Sequence, residues 1–235
     1  MTKTDDRERV VKMEVNLNSL DVVGYKNQPV PNTFITQPNP TKHLGIILPG
    51  YHYSAEMAPL YYAARILLDQ GVDVLRIEYA YYRTDFSQQP ESEQDKWISS
   101  DVFAACNVGL SYRPYEKITL VGKSLGTIAI GHLLDDSRFQ KATCIWETPL
   151  LTVEWLCSRI EQIHPRSLFI IGTADRFYKP DILKRLEFVT KGNSLVIEGA
   201  NHALEIAGDI PKSLVALNQM VQVLQEFLNE NTKSA

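Results

Sequence analysis

The sequence predicts an α/β protein: a mostly parallel sheet with helices on both faces. Three observations carry this expectation. From residue 43 onward, short apolar runs alternate with amphipathic stretches to the end of the chain. Several runs are apolar throughout rather than at every second position, as strands buried on both faces require. One of them ends in "GKSLG" (122 to 126), where two glycines bracket a serine at a strand-to-helix bend.

Each element follows in chain order. "RVVKMEVNL" and "NTFIT" are strands with only a short connection, so they pair antiparallel at one edge. The Pro/Asn-rich "NQPVPNTFITQPNPTK" supplies the turns on either side of the second. "HLGIILPG" is a buried strand that ends in Pro-Gly. "SAEMAPLYYAARILLDQG" is a helix with Met57, Leu60, Tyr61, Ala64, Leu67 and Leu68 on one face, Ser54 as N-cap and Gly71 as its stop. "VDVLRIEYAYYR" and "KITLVGKS" are strands around the helix "EQDKWISSDVFAACNVGL". The helix "LGTIAIGHLLDD" leads to strands "ATCIWETPLL" and "RSLFIIGTAD", which the short helical "TVEWLCSRIEQI" separates. "KPDILKRLEFVT" is a helix and "NSLVIEGAN" a strand. In the closing helix Ile210, Leu214, Leu217, Val221, Leu224 and Leu228 form a stripe that should dock on a sheet face.

At 235 residues, 44% hydrophobic and 22% charged, the chain suits one globular domain spanning 1–235, with residues 1–9 expected outside its ordered part. A net charge of −4 gives no electrostatic case for nucleic acid or an anionic membrane. No apolar run approaches the ~20 residues that span a bilayer. The charged "MTKTDDRERVVK" lacks the apolar core of a signal peptide, so a soluble cytoplasmic protein is expected. Cys106 and Cys144 lie in apolar stretches and read as buried thiols, and Cys157 has no framework spacing to either. His43, His132 and His164 have no ligand spacing, so no metal is expected.

The chemistry gathers where strands end. One strand delivers Ser124, a later one Asp175 and the last His202. A serine hydroxyl becomes a nucleophile when an imidazole takes its proton, and a carboxylate holds that imidazole in the right tautomer. Glu147, at the end of the preceding strand, is a rival for the acid. A P-loop reading of "GKS" fails because position 117, where the upstream glycine belongs, is lysine. Lys123 is expected to be structural, its side chain turned away from the site. Tyr51, Tyr53, Tyr79, Tyr81, Tyr82 and Trp146 cluster near strand ends in sequence, as an aromatic pocket wall or as edge packing. Tyr51, Tyr79 and Trp146 are candidate substrate-binding residues, with His52 as a further one whose alternative is an exposed loop histidine. Arg83 reads as a surface arginine.

With these residues in place, the chain resembles the α/β-hydrolase superfamily from about residue 30 onward. "LVGKSLG" is similar to its nucleophile elbow, "FIIGTADRFY" to its acid turn, "IEGANHALE" to its histidine loop and "GIILPGYHYS" to its oxyanion turn. The resemblance implies an α/β-hydrolase fold with a sheet of about eight strands. It places the oxyanion hole at the backbone N–H groups of Tyr51 and Leu125, with Pro49-Gly50 where many relatives have His-Gly. Residues 149–166 are too few for a large cap and read as a short lid-like segment, as in small esterases, thioesterases and dienelactone-hydrolase-like enzymes. The implied reaction is hydrolysis of a carboxylic ester or thioester through an acyl-enzyme, with Ser124, His202 and Asp175 catalytic and no cofactor. An acyltransferase or C–C bond hydrolase with the same residues, or a silent binding protein on the same fold, are the alternatives.

Overall fold

The computed structural model describes residues 14–79 and 81–233. Its strands are β1 (Asn16–Asn18), β2 (Asn32–Thr36), β3 (His43–Leu48), β4 (Asp73–Ile77), β5 (Lys117–Lys123), β6 (Thr143–Glu147), β7 (Arg166–Gly172) and β8 (Asn193–Ile197). Its helices are α1 (Ala58–Asp69), α2 (Glu91–Ser111), α3 (Leu125–Leu133), α4 (Glu154–Ile163), α5 (Pro180–Thr190) and α6 (Ile210–Lys233). The strands form one eight-stranded sheet in the order β1-β2-β4-β3-β5-β6-β7-β8. β2 pairs antiparallel with both β1 and β4, and every other pairing is parallel. The antiparallel edge is where the short connection predicted it. The first residues of the stretch read as "RVVKMEVNL", and the 1–9 tail, lie outside the described residues.

Strand alternation divides the core into two layers. Leu44, Ile46 and Leu48 of β3 pack with Leu120, Trp146 and Phe169 against α2 to α5. Ile47, Val121, Ile145 and Ile170 face the other way, against α1 and α6. Because both faces are covered, a run such as "LGIIL" is apolar without interruption. Each of its fully buried side chains contributes about 1.5–3 kcal/mol.

Two helices depart from the sequence expectation at their N-termini. α1 starts at Ala58, with Met57 rather than Ser54 in the N-cap position and Pro59 in the first turn. Proline suits that turn because its missing N–H would have no partner there. Ser54 instead closes a preceding turn, its Oγ accepting the Glu56 N–H at 3.1 Å. Met57 and Tyr61 are exposed, and Ala63 and Ile66 are buried in their place. Gly71 ends the helix as expected, at φ +76°. In α6, Leu224 and Leu228 dock on the sheet, but Ile210 and Leu214 are 75% and 62% exposed. The first two turns of α6 lie beside the loop that precedes them rather than over the sheet.

Residues 149–166 lead into α4, whose Leu156, Cys157 and Ile160 are buried. Helix α4 packs on the sheet layer that contains Trp146.

Candidate active site

The site grows from the bend between β5 and α3. Ser124 sits there at φ 52°, ψ −113°, a backbone conformation that costs about 1–3 kcal/mol for a residue with a side chain. The chain holds it by three hydrogen bonds. The Ser124 N–H donates to the Glu147 carbonyl at 3.0 Å, and the Thr127 N–H and hydroxyl donate to the Ser124 carbonyl at 2.8 and 2.6 Å. The flanking glycines are steric requirements. A Cβ on Gly122 would lie 2.5 Å from the Gly126 carbonyl oxygen, and one on Gly126 would collide with the Leu48 carbonyl. Strand and helix approach this closely only with glycine at both positions.

Asp175 follows β7, where the chain turns back on itself. Its N–H donates to the Gly172 carbonyl at 3.2 Å, and its Oδ1 accepts the Phe177 N–H at 3.0 Å. That leaves Oδ2, fully buried, for His202. The two are joined by a 2.8 Å hydrogen bond from Nδ1 to Oδ2. On its other side, Nε2 of His202 lies 2.8 Å from Ser124 Oγ. His202 is presented by the loop after β8, which Asn201 braces by accepting the Ala203 and Glu205 N–H groups at 2.8 and 3.2 Å. The structure therefore brings together the three strand-end residues that the sequence singled out. The Glu147 carboxylate is not part of this chain: it is fully buried, and neither oxygen has a hydrogen-bond partner among the described residues.

The Leu125 N–H follows Ser124 directly, and Tyr51 follows Gly50 beside the bend. Among the described residues, neither the Tyr51 nor the Leu125 N–H donates to a protein acceptor. Gly50 lies against the bend, where an added Cβ would be 3.2 Å from Ser124 Cβ. The Tyr51 ring is buttressed from below by a ladder of aromatic rings. It stacks at 5.9 Å on Phe86, which stacks at 4.5 Å on Tyr81, which stacks at 4.8 Å on Tyr79. Asp101 anchors this ladder by accepting the Tyr81 hydroxyl at 2.9 Å and the Tyr25 N–H at 2.7 Å. Burial pushes the Asp101 carboxyl up to about 6.

A cleft of ≈390 Å³ opens over Ser124, lined by Gly50, Tyr51, Tyr53, Lys123, Asn201, His202 and Ala203. A second trough of ≈390 Å³ adjoins it and shares Tyr53 and Ala203 as walls. Met57, Leu204, Ile206, Ile210 and Leu214 line this trough and make it largely apolar. A further hollow of ≈310 Å³ lies at the opposite ends of the strands, among His43, Lys117, Thr143 and Arg166. In open α/β sheets ligands collect at the carboxyl ends, where Ser124 is, rather than at these amino ends.

Three of the four candidate substrate-binding residues fall outside the cleft. Trp146 is fully buried, donates its indole N–H to Ser167 Oγ at 3.0 Å and stacks on Phe169 at 6.1 Å. It precedes Glu147 by one residue, so strand alternation turns it into the α2–α5 layer. Tyr79 is buried at the foot of the aromatic ladder, and its surface contributes to a neighbouring hollow with His52, Tyr82 and Arg83. His52 is exposed there at φ 56°, its ring 5.4 Å from that of Tyr82. Only Tyr51 lines the cleft, as expected. None of residues 149–166 lines it.

Asn201 and Ala203 are the cleft residues that the sequence did not single out, whereas Tyr53 belongs to the aromatic set it marks near the strand ends. Tyr53, two residues past Tyr51, and Ala203 form its wall toward the trough. Asn201 carried a legible signal, since asparagine before a loop histidine commonly caps its own turn. Lys123, expected to be structural, is buried, and its ammonium donates to the His202 carbonyl at 2.8 Å and to Thr148 Oγ1 at 2.9 Å, a link to the histidine loop that the sequence did not show.

A serine–imidazole–carboxylate chain that starts from a strand-to-helix bend, on this strand order, is the arrangement of an α/β-hydrolase architecture. The family model for the alpha/beta hydrolase domain matches residues 54–229. The chain belongs to that family. It is similar in fold to the esterase Pf2001 of Pyrococcus furiosus (TM-score 0.68, 16% identity, 92% of this chain and 93% of that one). It is equally similar to XC6422 of Xanthomonas campestris, described as a serine hydrolase without a lid (TM-score 0.68, 16% identity, 92% and 94% covered). A third is Est1E from Butyrivibrio proteoclasticus (TM-score 0.68, 12% identity, 92% and 99% covered). No curated protein matches the sequence.

Proposed function

We propose that the protein is a lidless serine hydrolase that cleaves a carboxylic ester or thioester with an apolar acyl group. The continuous hydrogen-bonded path from Ser124 Oγ through His202 to Asp175 Oδ2 carries this reading. The names of two similar structures, an esterase and a serine hydrolase without a lid, agree with it.

The geometry performs the reaction in two halves. Ser124 Oγ attacks the substrate carbonyl carbon as its proton passes to His202 Nε2. Asp175 Oδ2, bonded to Nδ1, holds the imidazole in the tautomer with Nε2 unprotonated and stabilises the imidazolium that results. The developing oxyanion takes the Tyr51 and Leu125 N–H groups, and losing one such donor costs ~10²–10³ in turnover. The tetrahedral intermediate collapses, the leaving alkoxide or thiolate collects the proton from Nε2, and an acyl-Ser124 ester remains. Water, activated by the same imidazole, then releases the acid.

The trough past Tyr53 and Ala203 is the place for the acyl chain. It explains why Met57, Ile210 and Leu214 stay 49%, 75% and 62% exposed beside a site where apolar surface has a use. The test is hydrolysis of an acyl ester and thioester series by wild-type protein and Ser124→Ala. Wild-type turnover should exceed that of the variant by up to ~10⁶-fold. Equal rates would refute the reading.

A further inference from the structure

Directly before the serine, the chain carries a lysine that the reaction does not use. Lys123 is 1% exposed and lies at the end of β5, in register with Glu147 at the end of β6. Residues paired in register on parallel strands point to the same side of the sheet, so ammonium and carboxylate are neighbours in the core. The Lys123 ammonium has three protons. One goes to the His202 carbonyl at 2.8 Å and one to Thr148 Oγ1 at 2.9 Å, and the Tyr53 ring lies 5.0 Å away. Thr148 reaches it from a strained φ of 44°. The bond from Lys123 is the one hydrogen bond that the His202 carbonyl accepts among the described residues.

We infer that Lys123 is a positioning residue for His202, tying that residue's main chain to the ends of β5 and β6, with Glu147 as the buried counter-charge. The inference rests on the triad reading above. A 34%-exposed imidazole on a loop holds its place through Asp175, Ser124 and whatever fixes its backbone. Lys123 supplies that third point. A misplacement of ~1 Å at such a group lowers turnover by about 10²-fold.

The charges around Lys123 set when the clamp is strongest. Glu147 faces it from β6, Asp175 from the loop after β7 and Glu205 from the loop after β8. Tyr53, from the loop after β3, is kept neutral by burial, which pushes its phenol up, with Glu147 and Glu205 adding to the push. The His202 imidazole is engaged by Asp175 and Ser124 rather than by Lys123. Burial pulls the lysine below its ordinary 10.5, and the three carboxylates, Glu147 first, oppose that pull. Burial likewise pushes the Glu147 carboxyl up, against the attraction of Lys123. The ammonium form makes the stronger, charge-assisted bond to the carbonyl, so the clamp weakens as pH rises through the lysine pKa.

The experiment compares Lys123→Met, Lys123→Arg, Glu147→Gln and the double variant Lys123→Met/Glu147→Gln, which leaves no unpaired buried charge. It measures kcat and KM for a short acyl ester against pH, and backbone deuterium exchange over residues 200–206. Expected results are a kcat lowered about 10- to 100-fold in Lys123→Met at nearly unchanged KM, with partial recovery in Lys123→Arg. In Glu147→Gln the alkaline fall of kcat should move to lower pH, because the largest attraction holding the proton on Lys123 is gone. Exchange over 200–206 should quicken in Lys123→Met and in the double variant while that of β5 is unchanged. Exchange at the wild-type rate, or an alkaline limb unmoved in Glu147→Gln, overturns the inference. Should wild-type protein prove inactive, the triad reading falls, and the exchange data alone still decide whether Lys123 holds the loop.

Discussion

Asp175→Asn replaces one oxygen by an amide nitrogen and leaves the shape of the site intact. The structure dictates how that amide must sit. Oδ1 already accepts the Phe177 N–H at 3.0 Å, so the remaining carbonyl oxygen of asparagine is required there. The NH₂ group then takes the place of Oδ2, 2.8 Å from His202 Nδ1. A donor now faces Nδ1, which can only accept, and the ring proton moves to Nε2. Nε2 in turn sits 2.8 Å from Ser124 Oγ and points a proton at the group whose proton it should remove. The flipped amide escapes this only by setting its NH₂ against the Phe177 N–H, an unpaired donor in a fully buried place. The wrong tautomer costs ~10⁴ in turnover, about 5 kcal/mol of transition-state stabilisation. The assay is steady-state hydrolysis of a short acyl ester at pH 8, with thermal unfolding of both proteins to establish that the fold is retained. A folded Asp175→Asn protein within tenfold of wild-type kcat would refute the argument and return the role of the acid to an open question.

Two further substitutions probe the surroundings. Leu214→Glu changes an exposed residue of the apolar trough, so the fold should tolerate it. It should lower kcat/KM for octanoyl esters about tenfold and leave acetyl esters unchanged, an effect equal to burying roughly two methylenes. Equal losses for both chain lengths would remove the trough from the substrate path. At the other end of the sheet, His43 donates to or accepts from Thr119 Oγ1 at 2.9 Å. Burial, aided by Lys117, pulls its imidazole from 6.5 down to about 4. The unfolded chain therefore binds more protons between those values, and stability falls as pH drops through that window. His43→Gln should flatten this part of the stability–pH curve in urea unfolding at pH 7 and pH 4.5. An unaltered curve would mean that the imidazole is not buried in its neutral form.

Much of this site is legible in the sequence. Ser124, Asp175 and His202 each follow a strand within a few residues, and a parallel sheet brings the carboxyl ends of its strands to one end whatever the intervening chain does. The glycines at 122 and 126 marked the bend because backbone contact leaves no room for a Cβ there. What failed was the step from nearness in sequence to nearness in space. Trp146 and Glu147 are adjacent, yet alternation sends Trp146 into the helix layer and Glu147 toward Lys123. Tyr79 is close to the site in sequence, but it stacks on Tyr81, which in turn stacks on Phe86, and no periodicity encodes that ladder. Lys123 defied the general preference of lysine for water because Thr148 and the His202 carbonyl, both distant in sequence, offer it acceptors. In α6 the spacing of Ile210 and Leu214 was right for a helix face, but both stay exposed and line the trough with the loop that precedes the helix.

The most direct measurement is labelling with a fluorophosphonate, followed by peptide mapping, on folded wild-type protein, denatured wild-type protein and Ser124→Ala. An activated serine predicts a single modified site at Ser124, lost on denaturation and in the variant. A folded wild-type protein that remains unlabelled, or a label that persists in Ser124→Ala, would contradict the assignment of Ser124 as the nucleophile.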